Sequence, residues 1–297
     1  MIRLLRFYFA GLARFMPGTS AGLLARLFTT PGRHGLQSTA GKRLLESAER
    51  GSINSISGNV TFYRWRNRGP RVLVLHGWSD QAANLGELID VLLAAGYDVT
   101  APDLPAHGDS AGNTAHMKQW LVAIRMLSAG VPKWHAVLGH SLGGFAAAAS
   151  TREDLPHYGT PVKAGKLVLI APPDRSSTML RMVAGHLQAP ERIIERTASL
   201  LSEWIDADFN SFSTAENVAN FDGKALVIHD RDDNRVPFAH FEAIREAAPE
   251  QDFIATASLG HRRILDNARV QASIVEFLDE AIQVRGARPD AARQLAM

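Results

Sequence analysis

A serine between two glycines stands in the segment VLGHSLGG, residues 137–144. Gly139, Ser141 and Gly143 follow the spacing G-x-S-x-G, in which a sharp turn between a strand and a helix exposes the serine Oγ. The apolar residues before the serine favour a buried strand, and the small residues after it, FAAAAS, favour a close-packed helix. A Cβ at either glycine position would collide with the neighbouring strand or helix. The pattern therefore predicts Ser141 as a nucleophile.

A serine hydroxyl needs a general base, and the base needs a third group that holds its tautomer. His261, in SLGHRRIL, follows the last predicted strand, whereas Asp230, Asp232 and Asp233 follow the strand before it. Loops at the carboxyl ends of parallel strands open onto the same edge of a sheet. We therefore expect His261 and one of the three aspartates to reach Ser141, in the chain order Ser…Asp…His.

The elements that must position these residues alternate regularly from residue 59 onward. Strands are predicted at 60–65, 71–77, 97–103, 134–139, 166–173, 225–230 and 252–257. Helices are predicted at 85–93, 114–128, 142–151, 239–248 and 265–281. Continuous apolar strands that alternate with amphipathic helices are typical of a parallel sheet covered on both faces. The sequence thus predicts an α/β fold with a mostly parallel central sheet flanked by helices.

One interval, between Pro173 and Lys224, holds about fifty residues without a strand pattern, which is too long for an ordinary connection. Its apolar residues recur at helical spacing, so we expect residues 174–222 to form a helical insertion that acts as a lid. The predicted organisation is a basic N-terminal arm at 1–50, a core at 51–173 and 223–282, the lid, and a flexible tail at 283–297.

The chain resembles the α/β-hydrolase fold superfamily, and within it the lid-bearing serine hydrolases of the esterase and lipase type. The resemblance covers roughly residues 55–282. It rests on GHSLGG, on HGW at 76–78 and on DLPAHGDS at 103–110. It implies an α/β-hydrolase fold with a helical lid, and acyl transfer through a serine.

The resemblance also implies roles for individual residues. The backbone N–H groups of Trp78 and Leu142 are expected to form an oxyanion hole, which stabilises the charge on the carbonyl oxygen. Asp233, four residues before Pro237, is implied as the acid of the triad. The other two aspartates of that loop are then expected to be solvated carboxylates.

A serine nucleophile excludes the haloalkane dehalogenases and epoxide hydrolases of this fold, which use an aspartate. The chain has no cysteine, so a cysteine nucleophile is excluded too. The expected reaction is hydrolysis of a carboxylic ester through an acyl-enzyme on Ser141, without a cofactor. Lipase, thioesterase and acyltransferase activities with the same triad are the alternatives within catalysis. A non-catalytic hydrolase-fold binding protein is the alternative outside it.

Five side chains are candidates for the substrate pocket: Trp78, His140, Met179, Met182 and Trp204. They favour a small-molecule ester with an apolar acyl part as the substrate. The lid segment carries eight Asp/Glu against four Arg. This negative balance gives no support to strongly anionic substrates such as coenzyme A esters.

Composition limits the partners and the compartment. A formal net charge of +2 gives no argument for a nucleic-acid partner. The absence of cysteine excludes disulfides and thiolate metal sites and weakly favours the cytoplasm. Asp103 and His107 have a helical ligand spacing, but Pro102 and Pro105 make that stretch non-helical. We therefore expect no metal site there, and a structural role for the histidine.

The basic arm carries eight Lys/Arg and two Glu in residues 1–50. Arg3, Arg6 and Arg14 break its apolar stretches below the length of a membrane-spanning helix. The arm either packs its apolar side on the main domain or lies on an anionic membrane surface. A secretory signal is disfavoured because Arg14 falls where its apolar region should be. The expected location is cytoplasmic, with peripheral membrane association as the alternative.

Overall fold

A twisted sheet of eight strands forms the centre of the computed structural model, which describes residues 2–32 and 39–280. The strands are β1 (Glu49–Ser55), β2 (Gly58–Trp65), β3 (Arg71–Leu75), β4 (Asp98–Pro102), β5 (Trp134–His140), β6 (Ala164–Ile170), β7 (Lys224–Asp230) and β8 (Asp252–Thr256). Their spatial order is β1-β2-β4-β3-β5-β6-β7-β8. The pairs β1–β2 and β2–β4 are antiparallel and all others are parallel. The predicted α/β fold with a mostly parallel sheet is confirmed.

The predicted strands differ from the observed ones mainly at their ends. The strand predicted at 166–173 ends at Ile170, because Pro172 and Pro173 have no N–H to donate to the sheet. The sequence did not predict β1, whose residues ERGSINS are polar and leave no apolar run. Within the described residues this strand lies at the edge of the sheet and pairs with β2.

Helices cover both faces of the sheet because successive residues of a strand point to opposite sides. Leu73 and Val137 lie in a hydrophobic cluster with α5 (Met117–Ser128), α6 (Leu142–Ser150) and α10 (Ala239–Ala247). Val72 and Leu138 lie in a second cluster, with α4 (Gly86–Ala94) and α12 (Ala268–Asp279). A short helix, α11 (Gly260–Arg263), precedes α12. The carboxyl ends of the parallel strands thus lie along one edge between two packed layers.

The segment between β6 and β7, residues 174–222, is called the helical insertion below. It contains α7 (Ser176–Leu187), α8 (Glu191–Ile205), a 3₁₀ turn (Phe209–Ser211) and α9 (Thr214–Ala219). Strand-like pairing within it is limited to a single bridge from Arg175 to Ser213 among the residues described. The helical character of this segment agrees with the spacing of its apolar residues.

The N-terminal segment 2–32, called the arm below, folds into α1 (Ile2–Phe7), a π-helical turn (Tyr8–Leu12), a 3₁₀ turn (Ala13–Phe15) and α2 (Pro17–Thr29). A further helix, α3 (Thr39–Glu46), leads into β1. The helix α2 packs along α8, and α1 contacts α7. Leu24 of α2 is fully buried there. Thr197 Oγ1 donates to the carbonyl of Ala21 at 3.4 Å. The apolar side of the arm is therefore packed against the helical insertion.

In the described part of the chain no helix is both long and apolar enough to cross a membrane. The predicted flexible tail, 283–297, lies outside the described residues.

Candidate active site

Ser141 occupies the turn between β5 and α6 with φ 54° and ψ −123°. This conformation is disfavoured for a residue with a side chain, by about 1–3 kcal/mol. Two backbone hydrogen bonds hold it: Ser141 N–H donates to Ile170 O at 2.8 Å, and Gly144 N–H donates to Ser141 O at 2.9 Å. These bonds thus hold Ser141 in a strained conformation at the carboxyl end of β5, directly before the first turn of α6.

The glycines of this turn are required by close backbone contacts. A Cβ on Gly143 would overlap the carbonyl oxygens of Leu75 and His76, and one on Gly139 would overlap the backbone of Gly143. The structure thus shows the collisions that the motif predicted, with the neighbouring strand at Gly143 and with the following helix at Gly139.

His261 and Asp233 form a hydrogen-bonded pair. Nδ1–H of His261 donates to Asp233 Oδ2 at 2.6 Å. The Asp233 side chain is fully buried, and that of His261 is 8% exposed. The second carboxylate oxygen, Oδ1, accepts the backbone N–H groups of Arg235 at 2.8 Å and Val236 at 2.9 Å.

Burial alone would raise the pKa of Asp233. The hydrogen bond from His261 and those from the two backbone N–H groups outweigh burial and hold the pKa below its ordinary value. Asp233 therefore stays ionised and fixes the tautomer of His261, so that Nε2 carries the free lone pair.

His140 connects His261 to the serine turn. Its Nε2–H donates to the backbone carbonyl of His261 at 2.8 Å, and the two rings lie 4.8 Å apart. Burial, with His261 nearby, lowers the pKa of His140 to about 3. Since His140 directly precedes Ser141, this bond of a neutral histidine fixes the backbone of His261 beside the turn. The sequence assigned His140 to the pocket wall, but the structure gives it this contact instead.

The other two aspartates, Asp230 at the end of β7 and Asp232 after it, hold the segment that leads from β8 into α11 and His261. Asp230 accepts hydrogen bonds from Thr256 Oγ1 at 2.7 Å and from Gly260 N–H at 2.9 Å. Asp232 accepts one from Ser258 N–H at 2.7 Å. Asp230 is fully buried, so its prediction as a solvated carboxylate was wrong. Its four hydrogen-bond donors make burial tolerable, and they keep its pKa below the ordinary value although burial alone would raise it.

The turn that carries Trp78 lies directly against Ser141. A Cβ on Gly77 would be 3.1 Å from Ser141 Cβ. His76 supports this turn: it accepts Leu104 N–H on Nε2 and donates Nδ1–H to Gly77 O, both at 2.8 Å.

His107 supports Ser79, the residue after Trp78, because its Nε2 accepts the Ser79 N–H at 3.0 Å. Both histidines thus make the structural hydrogen bonds expected of buried polar side chains. Among the residues described, no three His, Cys, Asp or Glu side chains gather as a metal site would require.

An apolar cavity of about 220 Å³ opens at Ser141. Three of the predicted pocket residues line it, namely Trp78, Met179 and Met182. Trp204 does not line it and is 37% exposed. Its assignment to the pocket was wrong, because Leu201 and Ile205 are the residues of α8 that face inward.

Sequence reasoning missed several side chains of the cavity wall: Phe28, Met117, Trp120 and Phe145. Phe28 comes from the arm, more than a hundred residues before Ser141 in the chain. The signal that could have found it is the helical spacing of Ala21, Leu24, Ala25 and Phe28, which marks one face of α2.

The strand order and the strained serine at the end of β5 are those of an α/β-hydrolase fold. A model of the alpha/beta hydrolase family matches residues 72–273, and the chain belongs to that family.

Known proteins similar to the chain include a human protein named serine hydrolase-like protein. It is 34% identical over 113 residues, which is 34% of this chain and 55% of that protein. The matched stretch thus spans about half the length of that relative.

Two solved structures share the fold. An esterase from Pyrococcus furiosus superposes with a TM-score of 0.60 at 18% identity, over 84% of this chain and 97% of that one. A thioesterase domain from the curacin biosynthetic pathway superposes with a TM-score of 0.55 at 17% identity, over 78% and 98%. At these identities the likeness is one of fold alone.

Proposed function

We propose that the protein is a serine hydrolase that cleaves carboxylic esters with an apolar acyl part, and that Ser141, His261 and Asp233 are its catalytic residues. The observation that carries the proposal is the 2.6 Å bond between His261 and buried Asp233, at the sheet edge where strained Ser141 opens into an apolar cavity. Such a constellation has the parts that acyl transfer through a serine requires.

In the proposed reaction Ser141 Oγ attacks the ester carbonyl carbon while His261 Nε2 takes the hydroxyl proton. The carbonyl oxygen becomes an oxyanion, for which the N–H groups of Trp78 and Leu142 are the proposed donors. The C–O bond to the alcohol then breaks, and His261 returns the proton to the departing alkoxide. Water, deprotonated by the same nitrogen, then attacks the acyl carbon. The bond from that carbon to Ser141 Oγ breaks, His261 returns the proton to Oγ, and the carboxylic acid is released. Asp233 remains ionised throughout and stabilises the imidazolium.

The cavity supports a preference for acyl chains of medium length. Its wall is almost entirely apolar, and an apolar cavity of ~150 Å³ already admits a benzene molecule. The 220 Å³ beside Ser141 is larger, so chains on the order of six to eight carbons fit. In this proposal the helical insertion acts as the lid, since α7 and α8 form one side of the cavity.

The test is covalent labelling of Ser141 with a fluorophosphonate, followed by turnover of p-nitrophenyl esters of increasing chain length. We expect wild-type protein to label and Ser141→Ala not to label. We also expect the substitution to reduce turnover by about 10⁴-fold or more. Turnover should be highest with medium chains, and a parallel thioester series distinguishes a thioesterase. A folded wild-type protein that neither labels nor turns over any ester would contradict the proposal and favour a non-catalytic binding protein.

A further inference from the structure

Exposed apolar side chains concentrate at the start of the arm. Nine large apolar side chains are exposed in the described part of the chain, and six of them lie between residues 2 and 16. They are Ile2, Leu4, Phe7, Leu12, Phe15 and Met16. Single exposed apolar residues are ordinary, but six of them within fifteen residues are typical of an interaction surface.

The charge of the arm indicates what this surface contacts. Residues 2–32 contain four arginines and no Asp or Glu. Arg3 and Arg14 are exposed among the apolar side chains, and the Arg14 guanidinium lies 4.8 Å from the centre of the Phe15 ring. A second copy of the same surface would bring like charges together, whereas an anionic lipid surface would pair with them.

The opposite side of the arm reaches the cavity. Arg6 Nε donates to the carbonyl of His186 at 2.8 Å, which ties α1 to the end of α7. The same α7 carries Met179 and Met182 of the cavity wall, and α2 carries Phe28. One segment thus presents apolar and cationic groups outward while it closes the cavity inward.

We propose that residues 2–16 dock on an anionic membrane surface and that the protein takes its ester substrate from that membrane. The apolar side chains insert into the region between headgroups and acyl chains, and the arginines bind the anionic headgroups. The acyl chain of the substrate then enters the cavity that the arm and α7 enclose. The second half of this inference rests on the proposed esterase function, but the docking itself does not.

The docking test is co-sedimentation of the full-length protein with vesicles of phosphatidylcholine, with and without phosphatidylserine. We expect binding to the anionic vesicles that weakens with added salt. The triple variant Leu4→Ser/Phe7→Ser/Phe15→Ser should bind at least about tenfold more weakly, because each lost side chain removes buried apolar area. Ile56→Ser is the matched control, since Ile56 is exposed on the β1–β2 turn, and it should bind like wild type.

Arg3→Gln/Arg14→Gln should weaken binding to anionic vesicles and reduce its salt dependence, since two of the four arginines are removed. Ser141→Ala should bind vesicles like wild type, so loss of activity and loss of docking are separable. Equal thermal midpoints for wild type and variants verify that the variants fold. The proposal is overturned if folded wild type does not bind vesicles or if the triple variant binds them equally well. It is also overturned if wild type is a dimer in solution and the only effect of the triple variant is to make it a monomer. Faster hydrolysis of a vesicle-embedded ester than of its soluble analogue, lost in the triple variant, supports the second half.

Discussion

Asp233 lies near two histidines but makes a short hydrogen bond with only one of them. Its Oδ2 lies 2.6 Å from His261 Nδ1 and 3.5 Å from His229 Nε2. His229 Nε2–H instead donates to Val236 O at 2.9 Å, and burial lowers the pKa of His229. The negative charge of Asp233 is therefore directed to His261.

Asp233→Asn should leave the fold intact and reduce kcat by about 10⁴-fold, because an amide favours the wrong tautomer of His261. Esterase turnover and circular dichroism measure the two effects. Asp232→Asn is the matched control, since the Asp232 side chain accepts a hydrogen bond from the backbone N–H of Ser258 and does not contact His261. The assignment of the acid is contradicted if the control loses as much activity as Asp233→Asn.

His140 makes the stability of the protein depend on pH. Its folded pKa of about 3 lies below the ordinary value of 6.5. Between these values the unfolded chain binds a proton that the folded protein does not, so stability falls as pH drops through this window. We expect His140→Gln, which keeps a donor N–H, to reduce that slope by up to about 1.4 kcal/mol per pH unit. Urea unfolding of wild type and variant at pH 7 and pH 5 measures the slope. An unchanged slope in the variant would show that His140 is not the group responsible for it.

Motif spacing and chain order predicted Ser141 and His261, whereas the family resemblance selected Asp233 from three neighbouring aspartates. The sequence could not predict the contact from His140 to the carbonyl of His261. That bond depends on how the loop after β8 approaches β5, and two strands lie between them in the sheet. The position between Gly139 and Ser141 gives no local signal of it.

At the scale of elements, the close packing of α6 against the end of β3 determines the conformation of the turn that carries Ser141. Gly143→Ala should destabilise the protein by at least about 2 kcal/mol, because the new Cβ meets backbone that cannot yield. Gly185→Ala in α7, where the added Cβ would meet nothing within 4 Å besides its chain neighbours and its own helix backbone, is the control and should stabilise by about 0.5–1 kcal/mol. Thermal unfolding compares them, and equal midpoints would contradict the close packing.

The sequence located each strand that is buried on both faces, apart from its exact ends, because burial leaves an unbroken apolar run. Edge strand β1 was not predicted, and although packing of the arm on the main domain was one of the two alternatives, the surface that covers it was not predicted. A polar edge strand shows no run, and an amphipathic helix does not state which apolar surface covers it. The arm's partner, α8, is known only from tertiary packing.

On the scale of the whole molecule, the arm, the helical insertion and the sheet share one hydrophobic cluster. Leu24→Ala should therefore destabilise the entire protein by about 2–5 kcal/mol. Circular dichroism and tryptophan fluorescence should report one common transition. Leu4→Ala, at a side chain 75% exposed, is the control and should change stability by less than about 0.5 kcal/mol. Two separate transitions would mean that the arm unfolds independently.

The contact between Ala21 and Thr197 also has a consequence for folding during synthesis, because it cannot form until both residues have been made. The two residues are 176 positions apart. At ~5–20 residues per second the ribosome needs about 10 to 35 s to make the second after the first. Throughout that interval the apolar face of α2 has no α8 to cover it. The apolar face of α2 therefore lacks its native covering until α8 has been synthesised.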